Sequence, residues 1–183
     1  MQFTEVQRFR QWWLWLIMVF TLCFPAVAIY QKHEAFVFTD YIAGIGIPLV
    51  IFILMMFVLR LETQVDEQGV HYRFFPFHIT TRLKTWDEIE RAYVRQYSPI
   101  REYGGWGVRL GLGNGMALNV SGNMGLQIEY KNGKKLMLGT NNAKELTAVM
   151  RDLYDSGLVK GEGNENMKNT GDDNAAANLR DRY

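Results

Sequence analysis

The chain has 183 residues, with 20 Lys and Arg against 19 Asp and Glu, for a net charge of +1. That near-balance excludes nucleic-acid recognition by massed positive charge, which needs a basic stripe to neutralise phosphates. The single cysteine, Cys23, excludes an intrachain disulfide and fits a reducing compartment.

Residues 1–11 carry Arg8 and Arg10 and are expected to form a cytoplasmic N-terminus. Residues 12–30, WWLWLIMVFTLCFPAVAIY, hold no charge, and neither do residues 41–59, YIAGIGIPLVIFILMMFVL. At about 1.5 Å rise per residue, a 19-residue helix covers roughly 30 Å, the thickness of a bilayer core. Both runs are therefore expected to be transmembrane helices, with 31–40 as an extracytoplasmic loop. Trp12, Trp13, Trp15, Tyr30 and Tyr41 supply the interfacial aromatics. Ala43, Gly44 and Gly46 would let the two helices approach closely. Arg8 and Arg10 before the first run and Arg60 after the second place both termini in the cytoplasm. The expected location is thus the inner (cytoplasmic) cell membrane, multi-pass. Ala26-Val27-Ala28 also matches a signal-peptidase pattern, a rival reading that leaves the C-terminal domain on the same side.

From Leu61 the pattern turns to period two. LETQV, the turn Asp66-Glu67-Gln68-Gly69 and VHYRFF read as a hairpin, with Val70, Tyr72 and Phe74 on one face. ITTRLKT is an expected third strand. Thr85 and Glu88 are spaced as a capping box for one helical turn, and AYVRQY resumes the strand pattern. GLQIEY and KKLMLG flank Lys131-Asn132-Gly133, a hairpin signal with Leu126, Ile128 and Tyr130 on one face and Leu136 and Leu138 on one face. Asn142 and Glu145 mark a helix start; Leu146, Val149, Met150 and Leu153 form one apolar stripe, and Gly157 is a stop. Residues 61–158 are thus one cytoplasmic domain of about seven strands and a helix. Residues 159–183 read as a disordered tail.

Segment 104–125, GGWGVRLGLGNGMALNVSGNMG, holds eight of the chain's 17 glycines. A P-loop needs Gly-Lys-Ser/Thr, but Gly133-Lys134 is followed by Lys135. In a dinucleotide loop Gly111 and Gly113 would be joined by a third glycine where Met116 stands, and a helix should follow. MALNV reads as a strand instead, so the glycines are expected to serve turns and tight corners between two short strands.

Two spans, the LETQVDEQGVHYRFFPF hairpin, the Trp86-Asp87-Glu88-Ile89 step and the terminal helix together resemble bacterial pleckstrin-homology-like membrane proteins. The stretches 97–109 and 117–127 carry the likeness furthest. The resemblance implies a membrane-anchored α+β architecture: a two-helix transmembrane hairpin followed by a seven-stranded, partly open β-barrel capped by a C-terminal helix. It implies no reaction.

His33, His71 and His78 have no metal-ligand spacing, and Ser98, Ser121 and Ser156 lie in no nucleophile elbow, so no catalytic residue, metal or cofactor is expected. Asn119-Val120-Ser121 matches a glycosylation sequon by accident, on a strand expected to face the cytoplasm. The leading expectation is a non-catalytic binding or scaffold module that recognises protein through Arg101, Tyr103, Trp106 and Arg109, with Trp and Arg as hot-spot types. Burial of Trp106 as a structural plug is the competing reading. A second expectation is a sensor of an anionic lipid headgroup or small ligand, using Arg82, Lys84 and Arg95. A third is an accessory subunit assembled through the two spans. Expected partners are the bilayer and a protein or second copy of the chain, with no nucleic acid.

Overall fold

The computed structural model describes residues 2–31, 42–111 and 113–159. The chain opens with a strand, β1 (Phe3–Arg8), followed by helix α1 (Trp12–Gln31). Residues 42–58 form a short helix α2 (Ile47–Ile53) between π-helical turns Ile42–Gly46 and Leu54–Val58. Then come β2 (Arg60–Val65), β3 (Gly69–Phe75), β4 (Arg82–Thr85), a 3-10 turn (Trp86–Glu88) and β5 (Ile89–Gln96). Helix α3 (Pro99–Tyr103), β6 (Gly107–Gly111), β7 (Gly115–Asn119), β8 (Met124–Tyr130), β9 (Lys135–Thr140) and helix α4 (Ala143–Asp155) complete the described chain.

The strands form two sheets, ordered β1-β2-β3-β4 and β5-β8-β9-β7-β6. All pairs are antiparallel except β7 with β9, which run parallel from Met116↔Leu136 to Leu118↔Leu138. This corrects the expected seven-stranded β-barrel: among the described residues nine strands lie in two separate sheets, and the fold is not closed into a barrel. Leu61, Val70 and Phe74 from the first sheet, Leu126, Ile128 and Leu138 from the second, and the Leu146, Val149, Met150 and Leu153 stripe of α4 join in one core. The alternation expected for β3 holds, since Val70, Tyr72 and Phe74 are all buried.

The transmembrane expectation is also corrected. Among the described residues no helix is long and apolar enough to cross a membrane. The second apolar run is no single regular helix: α2 is seven residues long, about 11 Å against the roughly 30 Å of a bilayer core. The start of α1 belongs to the β-domain. Leu14 is buried in the common core, and Trp13 packs on Trp106. The inner-membrane, multi-pass assignment, with its two-helix hairpin, falls with this finding. Trp15 meets Phe52 edge-on, bringing α1 onto α2, while Phe20 and Phe57 are exposed. Most of the expected loop 31–40 and residues 160–183 of the expected tail lie outside the described residues; Val159 packs in the core.

Strand β1, absent from the sequence reading, is fastened by polar groups. The Glu5 carboxylate accepts from Thr140 Oγ1 at 2.6 Å and from the Asn141 N–H at 2.9 Å. Gln7 donates to the Gly139 carbonyl at 2.7 Å, and Gln11 to the Val120 carbonyl at 2.7 Å. Residues 5–11 thereby tie the first sheet to the end of β9, the central strand of the second, and to the segment after β7.

Acid sensitivity follows from His78. It is buried beneath β3, its Nδ1 accepts from the Phe74 N–H at 3.4 Å, and Tyr72 meets it edge-on. Burial, aided by the positive charge of Arg82, pushes its pKa below the usual histidine value. A neutral native histidine contributes stability that is complete above about pH 6.5 and is lost as pH falls through the depressed folded value. Glu102 and Asp66 are also held below their ordinary range. For Glu102 the main cause is the Arg95 hydrogen bond; for Asp66, hydrogen bonds from Gln64, Gln68 and Gly69 outweigh burial. Their contributions disappear only below about pH 4. Urea midpoints measured across pH should therefore fall in two stages, and His78→Gln should abolish the earlier one. An unchanged early stage in that variant would refute the assignment.

Candidate anion-binding pocket

A hollow of about 530 Å³ opens where β4, at the edge of the first sheet, meets the β8–β9 hairpin of the second. The 3-10 turn between β4 and β5 sets this meeting: the Lys131 N–H donates to the Glu88 carbonyl at 3.1 Å, and Trp86 Nε1 to the Asp66 carbonyl at 3.0 Å. One wall carries Arg82 and Lys84, two apart on β4 and paired in register with Tyr72 and Val70 of β3. The opposite wall is the hairpin turn with Lys131, Asn132, Lys134 and Lys135. Tyr72, Tyr130, Met116 and Leu136 form the floor.

Five basic side chains and one carboxylate, Glu88, line the hollow. Lys84 is paired with Glu88 at 2.8 Å and sits 5.7 Å from the centre of the Tyr130 ring. Lys135 pairs with Glu129 at 3.0 Å, and Glu129 also holds Arg91 at 2.7 Å. Among the described residues, Arg82, Lys131 and Lys134 make no ion pair. Opposite partners thus restrain two cations and leave three to face solvent across the opening. Burial, reinforced by a hydrogen bond with Tyr72, pushes the Tyr130 phenol far above its usual pKa. The floor therefore presents a neutral hydroxyl.

The hairpin is built for this position. Asn132 Oδ1 accepts from the Lys134 N–H at 3.0 Å, the Gly133 N–H donates to the Tyr130 carbonyl at 2.8 Å, and Gly133 takes φ +78°. The turn thus projects its lysines on both sides of a fixed loop. The Asn132 amide also carries an NH2 group, which can only donate.

The sequence-predicted residues separate. Arg82 and Lys84 lie together in the pocket. Arg95 does not: it is bound on β5 by Glu102 at 2.7 Å and Gln127 at 3.0 Å. Burial opposes its charge, but the Glu102 contact outweighs burial and keeps its pKa raised. Arg101, Tyr103, Trp106 and Arg109 do not form one exposed surface. Tyr103 is buried against Tyr97, Ala117 and Met137, with its ring edge-on to Tyr97. Trp106 is half-buried, packs on Trp13 at 6.0 Å between ring centres, and donates from Nε1 to the Gly122 carbonyl at 3.2 Å. Arg109 Nε donates to the Trp106 carbonyl at 3.0 Å and is otherwise exposed, as is Arg101. Asn119 of the sequon is fully buried, accepting from the Gly107 N–H and donating to the Tyr97 hydroxyl, both at 2.9 Å.

Lys131, Lys134 and Lys135 were not singled out as ligand-binding in the sequence. Three lysines within five residues around an Asn-Gly turn are a visible signal, but their juxtaposition with Arg82 and Lys84 depends on tertiary structure. No group of three or more His, Cys, Asp or Glu that could hold a metal occurs among the described residues. The chain matches no protein-family model and no curated protein.

Proposed function

We propose that this chain is a non-catalytic binding module whose pocket between β4 and the β8–β9 hairpin takes a small anionic ligand. The supporting observation is the charge of the lining: five cations against one carboxylate around an open hollow, three of the cations without an ion pair among the described residues. A cleft lined by one sign of charge over low-dielectric walls focuses its field and raises the local concentration of oppositely charged ligand. The volume lies in the range of small-molecule sites, and an apolar floor with few polar groups is their usual construction.

Inorganic pyrophosphate is a suitable first probe. It should raise the thermal midpoint of the full chain, by mass action on the folded state, and the shift should shrink as salt rises. Lys131→Glu with Lys134→Glu reverses two exposed charges and should weaken binding by about tenfold or more, at about 1 kcal/mol for each charge near a surface. An equal shift in the double variant would rule out the pocket as the site.

Protein recognition along β6 is a second reading. The second sheet ends at β6, whose outer edge is unpaired among the described strands, and Leu110 there is 78% exposed. An open edge with an apolar side chain can accept an added strand. Leu110→Asp should abolish partner capture on this reading and leave pyrophosphate binding unchanged.

A further inference from the structure

The pocket holds more than an inorganic anion would use. Its cations stand on the two walls, whereas its floor is two tyrosine rings, a methionine and a leucine. Tyr72 and Leu136 are buried and cannot turn outward, and Tyr130 is half-buried. A bare phosphate held between Arg82 and the hairpin lysines would leave the partly exposed Tyr130 and Met116 side chains hydrated. We infer that the ligand is a phosphate monoester carried on a flat aromatic body, the phosphate gripped by Arg82, Lys131 and Lys134 and the ring laid on Tyr130 and Met116. This inference rests on the anionic-ligand reading above and adds the nature of the body.

Three features support the assignment. A guanidinium presents paired donors that match phosphate oxygens, and among the described residues Arg82 has no carboxylate partner to release first. Aromatic rings prefer offset or edge-on partners, and thioethers make favourable contacts with rings, so Tyr130 and Met116 together suit a planar body better than a flexible chain. The Asn132 amide stands on the pocket wall, where its NH2 group can donate to a polar edge of that body.

The test compares three phosphates by calorimetry on the full native chain: inorganic phosphate, glycerol 3-phosphate and phenyl phosphate. Phenyl phosphate should bind about tenfold more tightly than the other two, the equivalent of one good ring contact. Met116→Ala should erase most of that advantage and leave glycerol 3-phosphate unaffected, while Lys134→Ala should weaken all three in parallel. Equal affinity for phenyl and glycerol phosphates overturns the aromatic assignment and leaves the anionic-ligand reading standing. No binding of any of the three, nor of pyrophosphate, overturns both. Phosphatidate-vesicle binding with no preference for phenyl phosphate would place the phosphate on a lipid headgroup and likewise defeat the assignment. Because the ligand series uses unmutated protein, it remains decisive even if a variant fails to fold.

Discussion

Phe3→Ala is expected to lower the unfolding free energy by about 3–5 kcal/mol, the cost of truncating a fully enclosed phenylalanine. Phe3 is 0% exposed although it is the third residue of the chain. It pairs in register with Val65 of β2 and packs in the common core. Chain ends are usually where order is lost, unless a strand ties them into a sheet. Here β1 adds six register pairs and the hydrogen bonds of Glu5 and Gln7 to the far sheet. Urea unfolding would measure the effect. A loss below about 1 kcal/mol, the range of surface substitutions and weaker contacts, would show that β1 is not docked as described.

Gly115→Ala is expected to cost about 3 kcal/mol. Gly115 takes φ +75°, where an L side chain is strained by about 1–2 kcal/mol. A Cβ there would also strike the Lys135 backbone, lying 2.7 Å from its carbonyl carbon, and push β7 away from β9. Overpacking of that kind typically adds about 1–3 kcal/mol. Gly133→Ala is the control. It has nearly the same φ, +78°, with nothing within 4 Å of the added carbon, so only the conformational cost applies. The gap between the two variants measures the close approach itself. Because Met116 and Lys135 line the pocket, Gly115→Ala should also weaken pyrophosphate binding, whereas equal stability losses in the two variants would contradict the β7–β9 contact.

The glycine-rich segment was largely legible. Spacing argued against a phosphate loop and for two short strands about a turn, and β6 and β7 pair antiparallel from Gly107↔Asn119 to Gly111↔Gly115. The β2–β3 and β8–β9 hairpins, with the α4 stripe, were equally plain because each is a local periodic pattern closed by turn chemistry. The helical turn after Thr85 and the start of α4 after Asn142 fell where expected, although neither residue makes a side-chain cap hydrogen bond.

Strand β1 was hidden because its inward face reads Phe3, Glu5, Gln7. Two of those three are polar and are buried only because their partners, Thr140, Asn141 and Gly139, lie more than a hundred residues away. The expected spans failed for a related reason. An apolar run records only that side chains avoid water. It does not reveal that Leu14 enters a β-domain core, or that 42–58 breaks into π, α and π segments. Closure into a barrel was equally beyond local pattern, since it needs the sheet edges to pair, β4 with β5 and β1 with β6, and neither pair forms.

The candidate site divided along the same line. Residue type alone suggested Trp106 and Arg109 as recognition groups, yet Trp106 is held by Trp13 and the Gly122 carbonyl, and its own carbonyl holds Arg109. Arg82 and Lys84 were visible as cations, but only the fold sets them opposite Lys131 and Lys134.

Anion binding in this pocket is tested most directly by a pyrophosphate titration of isotopically labelled full chain, read residue by residue from amide chemical shifts. Saturable shifts are expected, confined to Tyr72, 82–84, Glu88, Met116 and 130–136, and reduced in concert as salt is raised. Saturable shifts confined to Arg101 through Leu110, or none that saturate, would contradict it.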